Sequence, residues 1–406
     1  MKILFIWDGD YPWDIRVEKV CESLCKGGHE IHMVCRNLER KIHEEIYEEI
    51  NIHRLPYLPY WMGHLNKAYT FPAFFSPVWL WKIYKEAKQN RCELIIVRDL
   101  PMAIAGIWVS KILKIPCILD MAECYPEMLR CTWQYEGFSL KNIFLRNPLL
   151  GDWVEKYVVK HVRQIWVMIE ESRLRLIRMG VPDDKIYVIS NTPKIERFKE
   201  TDHYSEIIDV FGKYYTMIYV GLLNPSRGLD TVFHAVCNYI KINSNFRLLI
   251  IGKGKAEQSL KELVNKLGIS YNVRFLGWID NKYIPSLISQ ADVGIVPHHK
   301  CSHWDNTIPN KLFDYMAAKK PVIVSNVVPM ERIVNQTKCG LVYKDYDHVS
   351  LCNVFNILSN PELRHEFSHN GYTAVVNKYN WRNEEKYLFE AISKINLNNN
   401  VNGNNK

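Results

Sequence analysis

The sequence contains no hydrophobic run long enough to cross a membrane. Its longest uncharged stretch, Ala68 to Trp81, has 14 residues and includes Pro72 and Pro77, whereas a spanning helix needs about 20 apolar residues. The N-terminus, MKILFIWDGD, has only five successive apolar residues before Asp8, too few for the core of a signal peptide. We therefore expect a cytoplasmic protein.

The sequence also has no ordered cysteine pattern and no concentrated charge. The 11 cysteines are irregularly spaced, which indicates free thiols in a reducing compartment. The net charge of +8 is diffuse, because residues 1–200 carry 29 Lys and Arg against 26 Asp and Glu, and the remainder carries 23 against 18. No basic run interleaved with aromatic residues appears, so we expect no nucleic-acid partner.

Aromatic residues cluster in one segment with basic residues after them. The members are Tyr69, Phe71, Phe74, Phe75, Trp79 and Trp81, followed by Lys82, Lys85 and Lys88. This composition suits the headgroup region of a membrane and then predicts peripheral association with the inner membrane face. A core helix with a solvated basic face is the alternative, and both interpretations remain open.

Short apolar runs of strand length alternate with helix-length amphipathic segments, and the pattern occurs twice. Strands are predicted near Lys2–Trp7, Glu30–Cys35, Leu94–Val97, Pro116–Asp120, Gln164–Met168, Ile186–Ile189, Thr216–Gly221, Arg247–Ile251, Val273–Leu276, Val293–Val296, Pro321–Val324 and Gly340–Tyr343. Helices are predicted over Ile15 to Lys26 and from near Gly228, Lys255, Asn281, Pro309 and Met330. The alternation predicts an α/β fold with two Rossmann-like domains.

A polar stretch from Ser190 to Gly212, which contains Pro193, separates the two sets of strands. Because linkers have this composition, we place the domain boundary there. The predicted domains are an N-terminal one over 1–195 and a C-terminal one over 196–380. A C-terminal helix over 381–395 and an asparagine-rich, disordered tail over 396–406 complete the prediction.

Ligands of open parallel sheets bind at the turns that follow the carboxyl ends of the strands. The first such turn, residues 8–14, has no GxGxxG, and its acidic residues would repel a pyrophosphate, which makes a nicotinamide dehydrogenase a poor candidate. The turn from Gly221 to Asp230 instead places Arg227 at a helix start, where a diphosphate would meet a guanidinium and free backbone amides. A surface arginine is the alternative. Gly277, after the predicted strand Val273–Leu276, is assigned to the same nucleotide site.

The segment from Ser302 to Ala318 is the richest in candidate site residues. Pro309 suits a first helical position, which puts Lys311 in the first turn and Asp314 about one turn further on. A lysine at the positive end of a helix is unfavourable alone, and a bound anion would remove the misfit.

Four potential zinc ligands precede this segment: His298, His299, Cys301 and His303. No second cluster at a usual zinc spacing completes a site, and adjacent side chains point apart on a regular backbone. We favour a loop that lines a donor pocket, with His298 or His299 near the nucleotide or the sugar.

At these motifs the chain resembles glycosyltransferase family 4, a retaining group with the GT-B fold. KILFI with its Gly28-His29-Glu30 junction is similar to the family's opening, and Gly221 to Asp230 is similar to its G…(R/K)G-x-D turn. Asn306 to Pro321 is similar to its E-x7-E helix and A-x-x-x-P-V-I, in the subgroup with P-N-K-L-F-(E/D)-Y-M-A-A. The resemblance implies two Rossmann-like domains that face each other across a cleft, with the C-terminal helix crossing back to the N-terminal domain.

The resemblance also implies roles for individual residues. Asp314 would accept hydrogen bonds from the ribose hydroxyls, and Arg227 would hold the diphosphate together with Lys311 and the helix start at Pro309. The sugar would be transferred with retention at its anomeric carbon. No metal or other cofactor is required, in agreement with the lack of a D-x-D motif in the predicted donor turns.

Three departures from the family pattern are evident. Asn306 replaces the glutamate that touches the donor sugar, Leu222 replaces an arginine, and Ala122 replaces the histidine of D-x-H-E. Asp120 and Glu123 remain at that strand end, where either would orient the acceptor hydroxyl or take its proton. Helix or loop caps are the alternative for both carboxylates.

Arg16, in the first loop of the N-terminal domain, has two interpretations. It would meet a phosphate or an acceptor group across the cleft, or it forms a structural salt bridge.

We therefore expect a retaining glycosyltransferase that moves a hexose or N-acetylhexosamine from a nucleotide-sugar, with UDP favoured, to a glycan or lipid-diphosphate-linked glycan in surface polysaccharide synthesis. One alternative is a GT-B epimerase acting on the sugar nucleotide. Another is a catalytically silent binding or partner subunit, suggested by Asn306, Leu222 and Ala122 occurring together.

Overall fold

A computed structural model describes residues 1–12, 14–65, 69, 76–136, 146–199 and 212–403. These residues form two units. The first consists of the described residues within Met1–Trp133, Phe138–Ser190 and Glu384–Lys406, and the second of those within Gln134–Gly137 and Asn191–Asn383. Secondary-structure elements are numbered below in chain order over the described residues.

The first unit is built on an eight-stranded sheet. Its strands are β1 Lys2–Ile6, β2 Glu30–Cys35, β3 Glu44–Tyr47, β4 Ile50–Arg54, β5 Leu94–Arg98, β6 Cys117–Met121, β7 Gln164–Val167 and β8 Ile186–Val188. They lie in the order β3-β4-β2-β1-β5-β6-β7-β8, and neighbours are parallel except for β3 and β4. The strand order reverses beside β1, as in doubly wound Rossmann-like folds.

The second unit is built on a six-stranded sheet. Its strands are β9 Tyr215–Val220, β10 Phe246–Ile251, β11 Val273–Gly277, β12 Val293–Val296, β13 Val322–Ser325 and β14 Gly340–Tyr343. They lie in the parallel order β11-β10-β9-β12-β13-β14. The order reverses between β9 and β12, so the turns after these two strands border the crevice in which such sheets bind ligands.

Helices cover the faces of both sheets. They are α1 Ile15–Lys26, α2 Pro77–Gln89, α3 Ala103–Leu113, α4 Tyr125–Glu136, α5 Pro148–His161, α6 Glu170–Arg178, α7 Leu229–Tyr239, α8 Glu257–Lys266, α9 Ile284–Gln290, α10 Lys311–Ala317, α11 Val328–Thr337, α12 His348–Ile357, α13 Pro361–Asn377 and α14 Trp381–Gly403. Apolar stripes on α2, α3 and α5 share one buried cluster with β1 and β5. The predicted α/β class and its two Rossmann-like halves are thus confirmed.

The hairpin of β3 and β4 is absent from the sequence-based prediction. Glu44, Glu45, Glu48 and Glu49 interrupt any apolar run there. The turn places Glu48 and Glu49 at φ values of 47° and 67°, where Asn-Gly or Asp-Gly is the usual signal. The hairpin therefore lacks both of the patterns by which strands and tight turns are recognised.

The helix predicted from Pro309 begins two residues later. Lys311 is the first helical residue of α10, and Asn310 occupies the capping position before it. Leu312 N donates to Pro309 O at 3.2 Å, so a separate turn precedes the helix. Pro309 is buried in that turn and is not the first residue of the helix.

The C-terminal helix α14 belongs to the first unit from Glu384 onward. Gln164 Nε2 donates to Ala391 O at 2.8 Å, and Ser190 N donates to the Glu384 carboxylate at 2.8 Å. The helix continues to Gly403, eight residues beyond the predicted end at 395, and the disordered tail over 396–406 stays a prediction. Once a packed helix exists, each added residue gains a backbone hydrogen bond.

The aromatic segment Tyr69–Lys88 is described at Tyr69 and from Ser76 onward, so Phe71, Phe74 and Phe75 lie outside the described residues. On α2, Trp79 is buried in the core, and the buried Lys82 pairs with Glu86 at 3.0 Å. Trp81 is instead exposed. The helix thus has a core side and an outer side. Over the described residues, no helix has the length and apolar content that a membrane span requires.

Candidate functional site

The turn after β9 and the loop after β12 meet at the carboxyl edge of the second sheet. A 3-10 turn, Pro225–Arg227, leads to Gly228, which has a φ of 68°. A Cβ at Gly228 would lie 1.9 Å from Pro297 O, so only glycine lets the two segments approach this closely. The contact brings Arg227 against the residues that follow β12.

Arg227 is held by two aromatic side chains of that loop. Its guanidinium lies 4.4 Å from the ring centroid of Trp304, and its Nη1 contacts His298 Nε2. Because a guanidinium only donates, His298 Nε2 accepts and the ring proton lies on Nδ1. Burial, together with the charges of Arg227 and Lys311, holds the pKa of His298 well below its ordinary value. His298 is therefore neutral at pH 7.

Lys311 reaches the same place from the start of α10. Its Nζ lies 4.2 Å from the ring centroid of Tyr219, and a Cβ on Gly221 would be 2.3 Å from that Nζ. Burial and the nearby Arg227 charge lower the pKa of Lys311 well below its ordinary value, and Asp314 opposes them. The amine thus lies directly over the backbone of the β9 turn.

Four buried polar atoms at this point lack hydrogen-bond partners among the described residues. They are Arg227 Nε, His298 Nδ1, Trp304 Nε1 and Lys311 Nζ. Neither Arg227 nor Lys311 forms an ion pair within the described part of the chain. Buried polar groups are rarely left without partners in native proteins. Two cationic side chains with unused donors form a site for a polyvalent anion.

The other predicted site residues of the second unit are Asp314, Asn306 and Gly277. Asp314 lies on α10, one turn after Lys311. Asn306 ends a 3-10 turn, and its Nδ2 donates to Ser302 O at 2.7 Å. Gly277 ends the edge strand β11, two strands from β9, where its carbonyl accepts from Gly252 N at 2.7 Å. The structure therefore groups Arg227, His298 and Lys311 and leaves Gly277 apart.

In the first unit, Arg16 and Asp120 are paired with each other. Arg16 Nε lies 3.1 Å from both carboxylate oxygens, and Nη2 lies 2.5 Å from Oδ1. Arg16 Nη1 donates to Ile189 O at 2.8 Å. Both side chains are fully buried. Arg16 thus forms the structural salt bridge. Asp120 is buried in the same pair, whereas a base that acts on the acceptor would face the acceptor.

Asp99, which the sequence reasoning did not select, lies beside Glu123. Its Oδ1 accepts from Ala122 N at 2.9 Å and from Glu123 N at 3.2 Å. Burial raises the pKa of Asp99 to about 6, the Arg98 charge opposing and Glu123 adding to the rise. Asp99 directly follows β5, and Glu123 follows β6. The position of Asp99 at a strand end was therefore the sequence signal that could have identified it.

Solved structures with the same fold extend over nearly the whole chain. Sucrose-phosphate synthase from Thermosynechococcus elongatus superposes with a TM-score of 0.77 at 19% identity, covering 97% of this chain and 98% of that one. Anabaena HepE in complex with UDP-glucose superposes with a TM-score of 0.72 at 16% identity, covering 97% and 100%. At these identities the likeness shows the fold.

Family models and curated relatives identify the class of enzyme. "Glycosyl transferases group 1" matches residues 200–374, and "Glycosyl transferase 4-like domain" matches residues 14–192. An uncharacterized glycosyltransferase of Methanocaldococcus jannaschii is 22% identical over 92% of this chain and 91% of its own. This protein is a glycosyltransferase of the GT-B type. The α-D-kanosaminyltransferase of Streptomyces kanamyceticus is 19% identical, and the match spans 57% of this chain and 60% of that enzyme.

In this glycosyltransferase the histidines after β12 have separate partners. His299 Nδ1 lies 2.8 Å from Asp345 Oδ1, and its Nε2 lies 2.9 Å from Asp230 Oδ1. The ring also stacks on Tyr346, with centroids 3.9 Å apart. His298 instead contacts Arg227. The two side chains therefore do not converge on one point, and His299 fixes the loop instead of facing the anion site.

The stability of the glycosyltransferase should depend on the charge of His299. Burial alone would lower its pKa, but hydrogen bonds to Asp230 and Asp345 outweigh burial and raise the pKa to about 9 from 6.5. Protonated His299 therefore stabilises the fold. This contribution is fully present below pH 6.5 and is lost as the pH rises through about 9. We expect the free energy of unfolding of wild type, measured in urea, to fall between pH 7 and about 9.5. His299→Gln should show much less of this fall, and an unchanged pH dependence would contradict the assignment.

A group of potential metal ligands lies elsewhere in the glycosyltransferase, in the first unit. Glu44, His53 and Glu86 bring one ligand atom each within 4.8 Å of one another. Glu86 Oε1 already pairs with the buried Lys82 at 3.0 Å, and His53 Nε2 lies 3.1 Å from His32 Nδ1. Lys82 thus already places a positive charge beside the buried Glu86.

Two features of the cluster around Arg227 were missed by sequence reasoning. Trp304 stacks on Arg227, although a single tryptophan in a loop gave no signal for that contact. The second feature is the pair Gly252 and Gly254, because two glycines at this spacing are only weak evidence for a phosphate loop. A Cβ on Gly252 would lie 1.9 Å from Gly221 O. These glycines therefore let the β10 turn pack against the β9 turn that carries Arg227.

Proposed function

We propose that this glycosyltransferase transfers a hexose or N-acetylhexosamine, with retention, from a nucleotide-sugar whose diphosphate binds Arg227 and Lys311. The observation that carries the proposal is the set of four buried, unpartnered polar atoms around these side chains. UDP is the favoured nucleotide, since the structurally similar HepE was crystallised with UDP-glucose. A diphosphate would provide the acceptors and the negative charge that this cluster lacks.

The cluster suits the charge that develops during sugar transfer. As the glycosidic bond breaks, negative charge grows on the departing diphosphate. Arg227 is oriented in advance by Trp304 and His298, so little reorganisation is needed when that charge appears. The diphosphate in turn would assist removal of the acceptor proton on the same face of the sugar. No metal is required in this scheme.

Lys311 would compensate for a missing arginine. The family resemblance implies an arginine after the glycine of the β9 turn, and this chain has Leu222 there. Lys311 Nζ lies against the Cα of Gly221, the residue before Leu222. Lys311 on α10 thus supplies a positive charge to the β9 turn. The pKa of Lys311, lowered by burial, would rise again when a diphosphate binds.

The remaining donor contacts are proposed from position. Asp314, which is half-buried on α10, would accept hydrogen bonds from the two ribose hydroxyls. His298 Nδ1–H, which has no partner among the described residues, would donate to the donor sugar or phosphate. Asn306 would contact the sugar through its amide. Pro309 shapes the turn before α10, and Gly277 would contribute backbone near the base.

The acceptor is proposed to be a glycan or a lipid-diphosphate-linked glycan of surface polysaccharide synthesis, met at the cytoplasmic face of the membrane. Of the two carboxylates at the carboxyl end of β6, Glu123 is the better candidate to orient the acceptor hydroxyl, since Asp120 is buried with Arg16. Asp120 would then act as a positioning residue for the loop that carries Glu123.

The test is incubation with a panel of UDP- and GDP-sugars, followed by thermal shift and by slow hydrolysis of the donor. We expect at least one sugar nucleotide to raise the melting temperature and to be hydrolysed. Absence of any response across the panel would contradict the proposal.

A second candidate is a catalytically silent subunit that binds sugar nucleotides. The observation in its favour is Asn306, which lacks the family's carboxylate and whose Nδ2 is already bonded to Ser302 O. This function predicts a thermal shift with sugar nucleotides but no hydrolysis and no transfer to any acceptor. The same panel therefore separates the two functions.

A further inference from the structure

One outer surface of the first unit is unusually apolar. Helices α2, α3 and α5 are neighbours, and their inner sides share one core. Their outer sides carry six large apolar side chains that are substantially exposed: Trp81, Trp108, Ile112, Leu149, Leu150 and Trp153. We call these six residues the tryptophan face. Trp81 and Trp153 are each 55% exposed and Leu149 is 73% exposed.

Helical spacing explains why these residues point outward. Trp108 and Ile112 are four residues apart on α3, as are Leu149 and Trp153 on α5, so each pair lies on one side of its helix. Val154 and Val158 occupy the opposite side of α5 and are buried. The exposure therefore follows from regular helices, and the six side chains occur together on neighbouring elements. Exposed apolar side chains grouped on neighbouring helices in this way indicate an interaction site.

Lysines surround the tryptophan face. Lys85 Nζ lies 5.3 Å from the Trp81 ring centroid, and Lys111 Nζ lies 5.7 Å from that of Tyr157. Lys88, Lys156 and Lys160 are exposed on the same helices. The surface thus combines indole rings with a basic border.

The acidic residues of these helices do not offset that charge. Over residues 77–89, 103–113 and 148–161 there are three, and each already pairs with a cation: Glu86 with Lys82, Asp152 with Arg130 and Glu155 with Arg175. Glu86 and Glu155 are also buried. The outer side of the three helices is therefore positive.

We propose that the tryptophan face docks the first unit on an anionic lipid bilayer. Indole rings favour the headgroup region, where one part of the ring is apolar and the N–H stays wet. Lysines beside them would meet acidic headgroups, which attract basic protein surfaces. The inference rests on the proposed function, in which the acceptor is lipid-linked. It adds the protein surface that contacts the membrane.

A second copy of the chain fits this surface less well. A two-fold interface places the same patch of both partners together. The lysine border would then face an identical lysine border, with no acidic residue of these helices free to pair with it. An anionic bilayer supplies the opposite charge, so charge complementarity favours lipid.

The test is co-sedimentation of the purified full chain with vesicles, without donor or acceptor. Vesicles of phosphatidylcholine with phosphatidylglycerol are compared with phosphatidylcholine alone, at low and at high salt. We expect binding to the anionic vesicles that weakens at high salt. The double variant Trp81→Ser/Trp153→Ser should have a membrane partition coefficient roughly tenfold lower than that of wild type. A smaller fraction of it should therefore bind at a given lipid concentration. Lys111→Glu with Lys156→Glu should also reduce binding.

Matched controls come from the second unit. Trp278 is 68% exposed there, and Trp278→Ser and Lys266→Glu should leave vesicle binding unchanged. Melting curves and circular dichroism verify that each variant is folded. Failure of folded wild type to bind, equal binding to neutral and anionic vesicles, or equal binding by the double tryptophan variant would overturn the inference. So would a dimer in gel filtration that the same variant dissociates. None of these outcomes depends on donor turnover, which tests the proposed function separately.

Discussion

Replacing Arg227 by alanine is expected to lower kcat/KM for sugar transfer by about 10²–10³-fold, the usual effect of removing one preorganised donor from a developing anion. The guanidinium is held between Trp304 and His298. Its removal leaves Lys311 as the remaining cation of the cluster. The measurement is a kinetic comparison of wild type and Arg227→Ala with the donor that the panel identifies.

The control for this variant is Arg274→Ala, which removes an exposed arginine from β11 of the same unit. Its rates should match wild type. Arg227→Lys should recover part of the loss, because the charge returns without the planar fork. Wild-type kcat and KM in Arg227→Ala would remove this side chain from the mechanism.

Replacing Asp120 by alanine is expected to destabilise the first unit by about 3–5 kcal/mol, because breaking a buried pair leaves an uncompensated charge. Arg16 is fully buried. Among the described residues, its guanidinium donates to the Asp120 carboxylate and to Ile189 O. Urea unfolding, followed by the hydrogen-exchange protection of amides in β1 and β6, measures the change.

A double variant distinguishes structure from chemistry at this pair. Arg16→Met with Asp120→Leu removes both charges, and apolar replacement of a buried ion pair is often neutral. It should therefore recover most of the stability lost in Asp120→Ala. An Asp120→Ala protein with wild-type stability and no activity would instead give Asp120 a direct chemical role.

The fold was largely predictable because most of its strands are buried on both faces. The continuous apolar run Val293–Val296 coincides with the fully buried β12, since parallel strands covered by helices read as uninterrupted hydrophobic segments. The hairpin at Glu44–Arg54 has one solvated edge, and its outer strand β3 is acidic. Its pairing is set by the neighbouring β2, which no local pattern reveals.

The site was predictable where a residue follows a strand and unpredictable where it depends on a distant contact. Arg227 ends the turn after β9, and Lys311 begins α10, close to the helix start that the sequence pattern predicted. The Arg16–Asp120 pair joins residues 104 positions apart, and spacing cannot show such a partner. His298 and His299 are adjacent in sequence, yet one is neutral beside Arg227 and the other is held between two carboxylates. Only the packing of their neighbours distinguishes them.

The central claim is that the cluster around Arg227 and Lys311 binds a nucleoside diphosphate, and calorimetric titration tests it most directly. Wild type is titrated with UDP, GDP and the matching nucleosides, which lack phosphates. We predict that at least one diphosphate binds and that its nucleoside binds at least about tenfold more weakly, since the phosphates partner the buried cations. Equal affinity for the nucleoside and its diphosphate, or no binding of either diphosphate, would contradict the claim.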